Sequence, residues 1–390
     1  MQHFEVPTEQ IIAWRHHFHE NPELSFKEFK TSQFIVDELN KMPGIDAVER
    51  PTETGVVAII KGGKRAGKTL ALRADIDALP VAEGNNVCYK SKVEGLSHAC
   101  GHDAHAAMML GTAKVLSEMK DQFAGTLKLI FQPAEEMPPG GAIELVKAGV
   151  FDDVDACFAW HVFNDKAGLI RIFEDEAVTA ACDAGFITIT GRGSHGSMPH
   201  ASIDPIVVGS EIVMAIHTIV SRNICPDDFA VVSPAVFQSG TVCNVIPHTA
   251  EIHVNCRTKN DKNREYVIER ITQIAENIAK ANGATVEVKW LRGYGAAIQN
   301  MDMVKFAKEV ALETFDKEFV GTSPRGLTGS EDFSEICKVV PGCFIGVGGG
   351  NAEEGYPYQN HHPEFNFDEE KTLPAGTRMQ VATALKFLNQ

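Results

Sequence analysis

The chain has 390 residues, with 36 Lys+Arg against 52 Asp+Glu and a formal charge of −16 with histidine neutral. That excess of negative charge sets aside nucleic acid and anionic membrane surfaces as partners, because a polyanion would have to dock against a repulsive field. At 44% hydrophobic and 23% charged residues the composition is that of a globular protein rather than a disordered one, and the length predicts two or three folding units.

In chain order, the opening segment MQHFEVPTEQIIAWRHHFHE lacks the uninterrupted apolar run of a signal peptide. No later segment is read as reaching the ~20 apolar residues that span a bilayer, so a cytoplasmic, non-membrane protein is expected. Helical spacing marks Glu9 to Phe18 and Ser32 to Leu39. Short apolar runs rich in β-formers mark strands at Gly55 to Lys61, Thr69 to Ala74, Thr126 to Phe131 and Ala156 to Val162. Between the second and third of these, Ala104, Ala107, Met108, Gly111, Val115 and Met119 recur at helical spacing, predicting a helix over Asp103 to Lys120. Strands alternating with helices imply a mostly parallel sheet covered by helices.

From about Asp183 the rhythm changes. An alternating strand, Phe186 to Thr190, is followed by a long amphipathic helix, Asp204 to Val220, opened by Asp-Pro. Strands at Ala230 to Phe237 and Glu251 to Arg257, a helix over Asn263 to Lys280 and a strand at Thr285 to Leu291 complete the order βαββαβ. That is the split βαβ, ferredoxin-like pattern. The remainder predicts a helix (Met301 to Phe315), a strand (Cys343 to Val347) and a terminal helix (Asp368 to Leu388), a set too small to stand alone. The expected organisation is therefore an α/β domain in two parts, 1–182 and 294–390, with an α+β domain, 183–293, inserted between them. Nine cysteines scattered from Cys88 to Cys343 are an odd count without regular spacing, expected to be reduced and mostly buried.

Gly62 to Thr69 matches the phosphate-loop expression G-x-x-x-x-G-K-T. Such a loop works only where a helix begins at its Lys-Thr end. Here strand-like Leu70, Ala71 and Leu72 follow, so the segment reads as a Gly/Lys-rich turn between two antiparallel strands. The cluster Gly346, Gly348, Gly349 and Gly350 lacks dinucleotide-loop spacing and reads as close packing at a strand end.

The segment His98-Ala99-Cys100-Gly101-His102-Asp103 carries the chemistry. A thiol and an imidazole two residues apart at a glycine turn can converge on one side of the backbone and suit a borderline ion such as zinc. Further donors stand at strand ends. Glu135 and Glu136 follow the strand TLKLIF, where adjacent carboxylates point in different directions, so that one can ligate while the other faces substrate. His161 ends another strand, in surroundings where an unsatisfied imidazole is costly. Asn360-His361-His362-Pro363 lies in a polar loop. Convergence at the carboxyl ends of several strands is what an open α/β sheet offers. Asp75 and Asp77 end a further strand and suit support of a ligand imidazole through its other N–H.

The motifs LRADIDALP, HACGHDAH, FQPAEE, WHVFN, GRGSHGSMPH, NVIP, GSEDF and HHPEFNFDEE occur in order across most of the chain. In them the chain resembles the metallopeptidase-like amidohydrolases, which include hippurate hydrolases, N-acyl-amino-acid amidohydrolases and auxin-conjugate hydrolases. The resemblance implies a zinc-peptidase-like catalytic domain with an inserted lid or dimerisation domain, and a homodimer or homotetramer. It also implies two divalent ions per subunit (Zn, Mn or Ni) held by Cys100, His102, Glu136, His161 and His361. His361 rather than His362 aligns with the family's H-x-P ligand. Glu135 is then the general base, and Asp77 orients a ligand or tunes the site. Met137-Pro138-Pro139 departs from the glycine that relatives often carry after the acid pair.

By the same resemblance His195 and Asn244 bind substrate or transition state; Arg257 is expected to clamp a substrate carboxylate because a guanidinium fork suits that group. The inserted domain is expected to close over the metals. The implied substrate is an N-acyl amino acid with an acetyl or aromatic acyl group. Two other readings stand beside this one: an amidase using Cys100 as nucleophile with His102 or His105, and a non-catalytic binding protein on the same fold.

Overall fold

The computed structural model describes residues 4–390. Helices α1 (Thr8–Glu20) and α2 (Phe29–Leu39) precede strands β1 (Ala47–Glu49), β2 (Val56–Lys61) and β3 (Thr69–Asp75). Then come α3 (His102–Glu118), β4 (Thr126–Gln132), α4 (Gly141–Lys147), β5 (Ala156–Phe163) and β6 (Ile170–Phe173). They are followed by β7 (Ala181–Thr190), β8 (Ser194–His195), α5 (Pro205–Ile216), α6 (Thr218–Asn223), β9 (Ala230–Ser239) and β10 (Val245–Ile246). After these stand β11 (Thr249–Thr258), α7 (Asp261–Ala281) and β12 (Thr285–Arg292). The chain finishes through α8 (Met301–Thr314), β13 (Val320–Ser323), α9 (Phe333–Cys337), β14 (Gly342–Gly348) and α10 (Glu369–Leu388).

These elements form two compact units. The first comprises the chain up to Val178 with Ile298–Gly326 and Asp332–Gln390; the second comprises Thr179–Ala297 with Leu327–Glu331. In the first unit eight strands form one mixed sheet in the order β1-β2-β4-β3-β5-β14-β6-β13. Its centre, β4-β3-β5-β14, is parallel throughout, and β2 and β6 join it antiparallel on either side. The parallel strands are buried on both faces: Ala71, Ile130, Cys157 and Ala159 on one, and Leu70, Leu72, Leu127, Leu129, Phe158 and Trp160, which share a core, on the other. Each such side chain stabilises the fold by roughly 1.5–3 kcal/mol. Helix α3 shares that core through Ala104, Ala107, Met108 and Leu110, which fixes its N-terminus at the carboxyl ends of β3, β4 and β5.

The second unit is an antiparallel sheet in the order β12-β7-β11-β9, with α5 and α7 packed on it through Val208, Ile212, Ile216, Val267, Ile271 and Ala275. The long helix read from the sequence runs through α5 and α6, with His217 between them in right-handed helical conformation (φ −60°, ψ −18°). Pro205–Asn223 spans 19 residues, contains an 18-residue window of mean hydropathy 1.3, and is long and apolar enough to cross a membrane by length and composition, contrary to the sequence reading. It is a core helix on one side: Val208, Ile212, Ile216 and Ile219 are fully buried against the sheet.

Two other readings are corrected. The loop Gly62–Lys68 does not join neighbouring strands, because β4 lies between β2 and β3. It steps over the start of β4, where the Gly62 N–H donates to the Gly125 carbonyl and the Gly125 N–H to that of Arg65. All nine cysteines are free, but only Cys100, Cys157, Cys256 and Cys343 are buried, while Cys88, Cys225 and Cys243 are exposed.

Candidate metal centre

The site lies at the carboxyl ends of β3, β4 and β5, beside the first turn of α3. Gly101 caps α3 with φ of 88°, a left-handed conformation that glycine adopts at little cost. The turn carries Cys100 on one side and His102 on the other, and both are buried.

Asp77, just past β3, organises two segments. Its Oδ1 lies 3.2 Å from His102 Nδ1, and its Oδ2 accepts the Ser25 hydroxyl at 2.7 Å and the Glu136 N–H at 3.0 Å. A carboxylate accepting from Nδ1 leaves the His102 Nε2 lone pair for a ligand. That nitrogen is buried with no hydrogen-bond partner, 3.8 Å from Asp75 and 4.0 Å from Glu136. Burial opposes a charge on His102, yet Asp75, Asp77 and Glu136 push its pKa up to about 10. A buried cluster of carboxylates that drives an imidazole to protonate is one that calls for a cation.

His161 is oriented in the complementary way. Its Nδ1 donates to the Val162 carbonyl at 2.9 Å, and its Nε2 stands 3.4 Å from Cys100 Sγ. Burial, with His105 nearby, holds its pKa well below the usual value, so the ring is neutral and can ligate. His361 has φ of 72° and donates its backbone N–H to the Ala99 carbonyl at 2.7 Å. Its Nε2 lies 3.2 Å from Glu136 Oε1, and that carboxylate raises its pKa. Asn360 ties this loop down, donating through Nδ2 to the Cys100 carbonyl at 3.0 Å and the Val162 carbonyl at 3.2 Å. His362 is engaged elsewhere, stacked on Tyr358 with ring centroids 4.1 Å apart.

Potential ligand atoms of Cys100, His102 and His161 lie within 4.8 Å of one another, and so do those of Cys100, Glu136 and His361. The two trios share the sulfur. Thiolate, imidazole and carboxylate donors with an orphaned buried nitrogen fit divalent ions of the borderline class. The acid pair follows Ala134, whose φ is 54°, and the loop beyond it folds back with the Gly141 N–H on the Ala134 carbonyl at 3.0 Å. Met137-Pro138-Pro139 forms a turn closed by the Gly140 N–H on the Met137 carbonyl.

The geometry disfavours Cys100 as a nucleophile. A nucleophilic thiol needs a depressed pKa, whereas burial and the charges of Glu136, Glu135 and Asp75 push this one well up. Of the two bases expected for it, His105 is engaged at both ring nitrogens. His102 Nδ1 faces Asp77, and His105 bonds Asp75 through Nδ1 while accepting the Val162 N–H at 2.9 Å through Nε2.

The sequence reading gave no part to a network behind the site. Arg73 is fully buried and bonds Asp75 at 2.7 Å, Gln132 at 2.8 Å and Asp332 at 2.8 Å. Asp332 also accepts from Gln132 Nε2 and the Ala142 N–H, locking the ends of β3 and β4 together. Arg15 donates to Asp103 at 2.8 Å, and His19 joins Asp103 to Glu83. An apolar strand interrupted by Arg73, and the motif GSEDF, were the available signals.

In the second unit β8 pairs with β10, and the Gly196 N–H donates to the Asn244 carbonyl at 2.8 Å, so His195 and Asn244 are neighbours. A Cβ on Gly196 would meet the Asn244 backbone at 3.0 Å. Both residues are exposed. Arg257 is apart from this ladder on β11, half-buried, with Nε 3.2 Å from Asn255 Oδ1.

A profile of the peptidase family M20/M25/M40 matches residues 71–386. Thermostable carboxypeptidase 2 of Saccharolobus solfataricus is 39% identical, covering 97% of this chain and 96% of its own. N-acyl-L-amino acid amidohydrolase of Geobacillus stearothermophilus is 42% identical over 75% of this chain and 79% of its own. The crystal structure of the Bacillus subtilis YxeP protein, described as a dinuclear metal-binding peptidase of the M20 family, superposes with a TM-score of 0.82 at 34% identity, covering 98% of each chain.

Proposed function

Because the chain belongs to peptidase family M20/M25/M40, we propose that it hydrolyses the amide bond joining an acyl group to an amino acid with a free carboxylate, with Glu135 as general base. The protein is a metal-dependent hydrolase of amide bonds. The names of the carboxypeptidase and N-acyl-amino-acid amidohydrolase relatives share one scissile unit, an amide whose nitrogen belongs to such an amino acid. That shared unit supports the substrate class.

In this reading Cys100, His102, Glu136, His161 and His361 hold two divalent ions. When bound, such ions supply Lewis acidity that lowers the pKa of water toward ~7 and polarises the amide carbonyl. Asp77 keeps the His102 Nε2 lone pair exposed and holds the Glu136 backbone by its N–H. The Val162 carbonyl does the corresponding work for His161. Glu135 takes a proton from water on its carboxylate and returns it to the departing nitrogen. His195 and Asn244 contact the substrate, and Arg257 clamps its carboxylate.

One observation carries the reading: a single buried sulfur belongs to two separate trios of ligand-type atoms. The test is a panel of N-acyl amino acids, including hippurate and N-acetyl derivatives, assayed after chelation and reloading with Zn²⁺, Mn²⁺ or Ni²⁺. Turnover should vanish with chelator and return with at least one ion. Indifference to chelator together with loss on thiol alkylation would instead support a cysteine nucleophile.

A further inference from the structure

Three non-glycine residues have positive φ among the described residues: Phe26, Ala134 and His361. Two of them donate their backbone N–H to one oxygen. Glu28 Oε1 accepts from Phe26 at 3.0 Å and from Ala134 at 2.8 Å, while Oε2 accepts the Thr54 hydroxyl at 2.9 Å. Glu28 is fully buried. The two turns it joins are those that deliver the site: Phe26 follows Ser25, whose hydroxyl bonds Asp77, and Ala134 precedes Glu135.

A left-handed conformation is unfavourable for a residue with a Cβ and persists only where its surroundings impose it. At Ala134 those surroundings are the Glu28 oxygen on the N–H and the Gly141 N–H on the carbonyl. The φ of Ala134 sets the direction in which the chain leaves β4, and hence where the Glu135 carboxylate points. We propose that Glu28 is a positioning residue for the reaction, clamping the Ala134 turn so that Glu135 is aimed as a base; this rests on the reading of Glu135 given above. What matters is an acceptor at the right reach, not a charge.

The experiment compares Glu28→Gln, Glu28→Asp and Glu28→Met in the metal-loaded enzyme, with Glu135→Gln as control. Glutamine keeps an acceptor oxygen at full reach and can donate to the Thr54 oxygen, so kcat should stay within about threefold. Aspartate keeps the charge but withdraws the oxygen, and kcat should fall by about tenfold or more with KM, bound metal and folded state unchanged, as for a small misplacement of a reacting group. Methionine fills the space without an acceptor and should give the same loss, which covers the case of an unfolded aspartate variant. Wild-type kcat in Glu28→Asp and Glu28→Met, an equal loss in Glu28→Gln, or loss of metal in step with kcat would overturn the assignment. If Glu135→Gln is itself active, the base reading fails; if it is inactive while Glu28→Asp is fully active, only the clamp fails.

Discussion

The two places where functional side chains cluster are built in opposite ways. At the crevice of the first unit, Asp77, Cys100 and His102 are buried, and their partners come from distant parts of the chain: Ser25 on Asp77, Asp77 on His102, Asn360 on the Cys100 carbonyl. On the β8–β10 ladder His195 is exposed and its Nδ1 is met by the hydroxyl of Ser197, two residues away, at 2.8 Å. Long-range buried bonds fix a donor before any ligand arrives, whereas a local surface contact leaves the ring free to move. Under the proposed function the rigid cluster serves the ions and the adaptable surface the substrate, and that division can be attacked from either side.

The hardest blow to the rigid side should come from chemistry without change of structure. Glu135→Gln keeps shape and removes the proton acceptor, so kcat should fall by about 10³-fold while elemental analysis finds the wild-type metal content. Loss of metal along with turnover would make Glu135 a ligand instead. On the adaptable side, His195→Ala should lower kcat/KM by about 10–100-fold with metal content and melting temperature unchanged. A variant indistinguishable from wild type would remove the second unit from the reading.

A smaller effect is expected one step back from the ions. Asp77→Ala removes the partner of His102 Nδ1 and of the Glu136 N–H, and metal affinity should drop by about 10–100-fold, as is usual when such a support is lost. Competition with a chelator of known affinity measures it. An unchanged constant would mean that packing alone orients His102.

How much of this was readable beforehand follows the same division. The central strands announce themselves as apolar runs because both faces are buried, and the ligand-type residues stand out because polar groups at the ends of such runs need a reason. The short strands β1, β6 and β13 have too few residues to show a period. Arg73, Asp332 and Glu28 were missed for a different reason. Each has at least one partner distant in sequence, as Ala134 is from Glu28, and a buried charge is legible only when its partners are known.

Glu28 offers the mildest way to probe the rigid region, through stability rather than turnover. Burial, together with the negative charge of Asp77, raises its pKa from 4.5 to about 7, against the opposing bonds from Thr54 and Ala134. Between those values the folded protein binds a proton that the unfolded chain does not. The contribution of Glu28 is therefore fully present below about pH 4.5 and is lost as pH rises through about 7. Glutamine cannot ionise, so Glu28→Gln should gain stability relative to wild type between pH 5 and pH 8, by about 1–3 kcal/mol. Other titrating groups are common to both proteins and cancel in the difference. Divalent ions beside Asp77 would offset its charge, so the gain should be larger in chelated than in metal-loaded protein. Denaturant melts at the two pH values, with and without metal, measure it, and parallel curves for the two proteins would show that Glu28 stays ionised throughout.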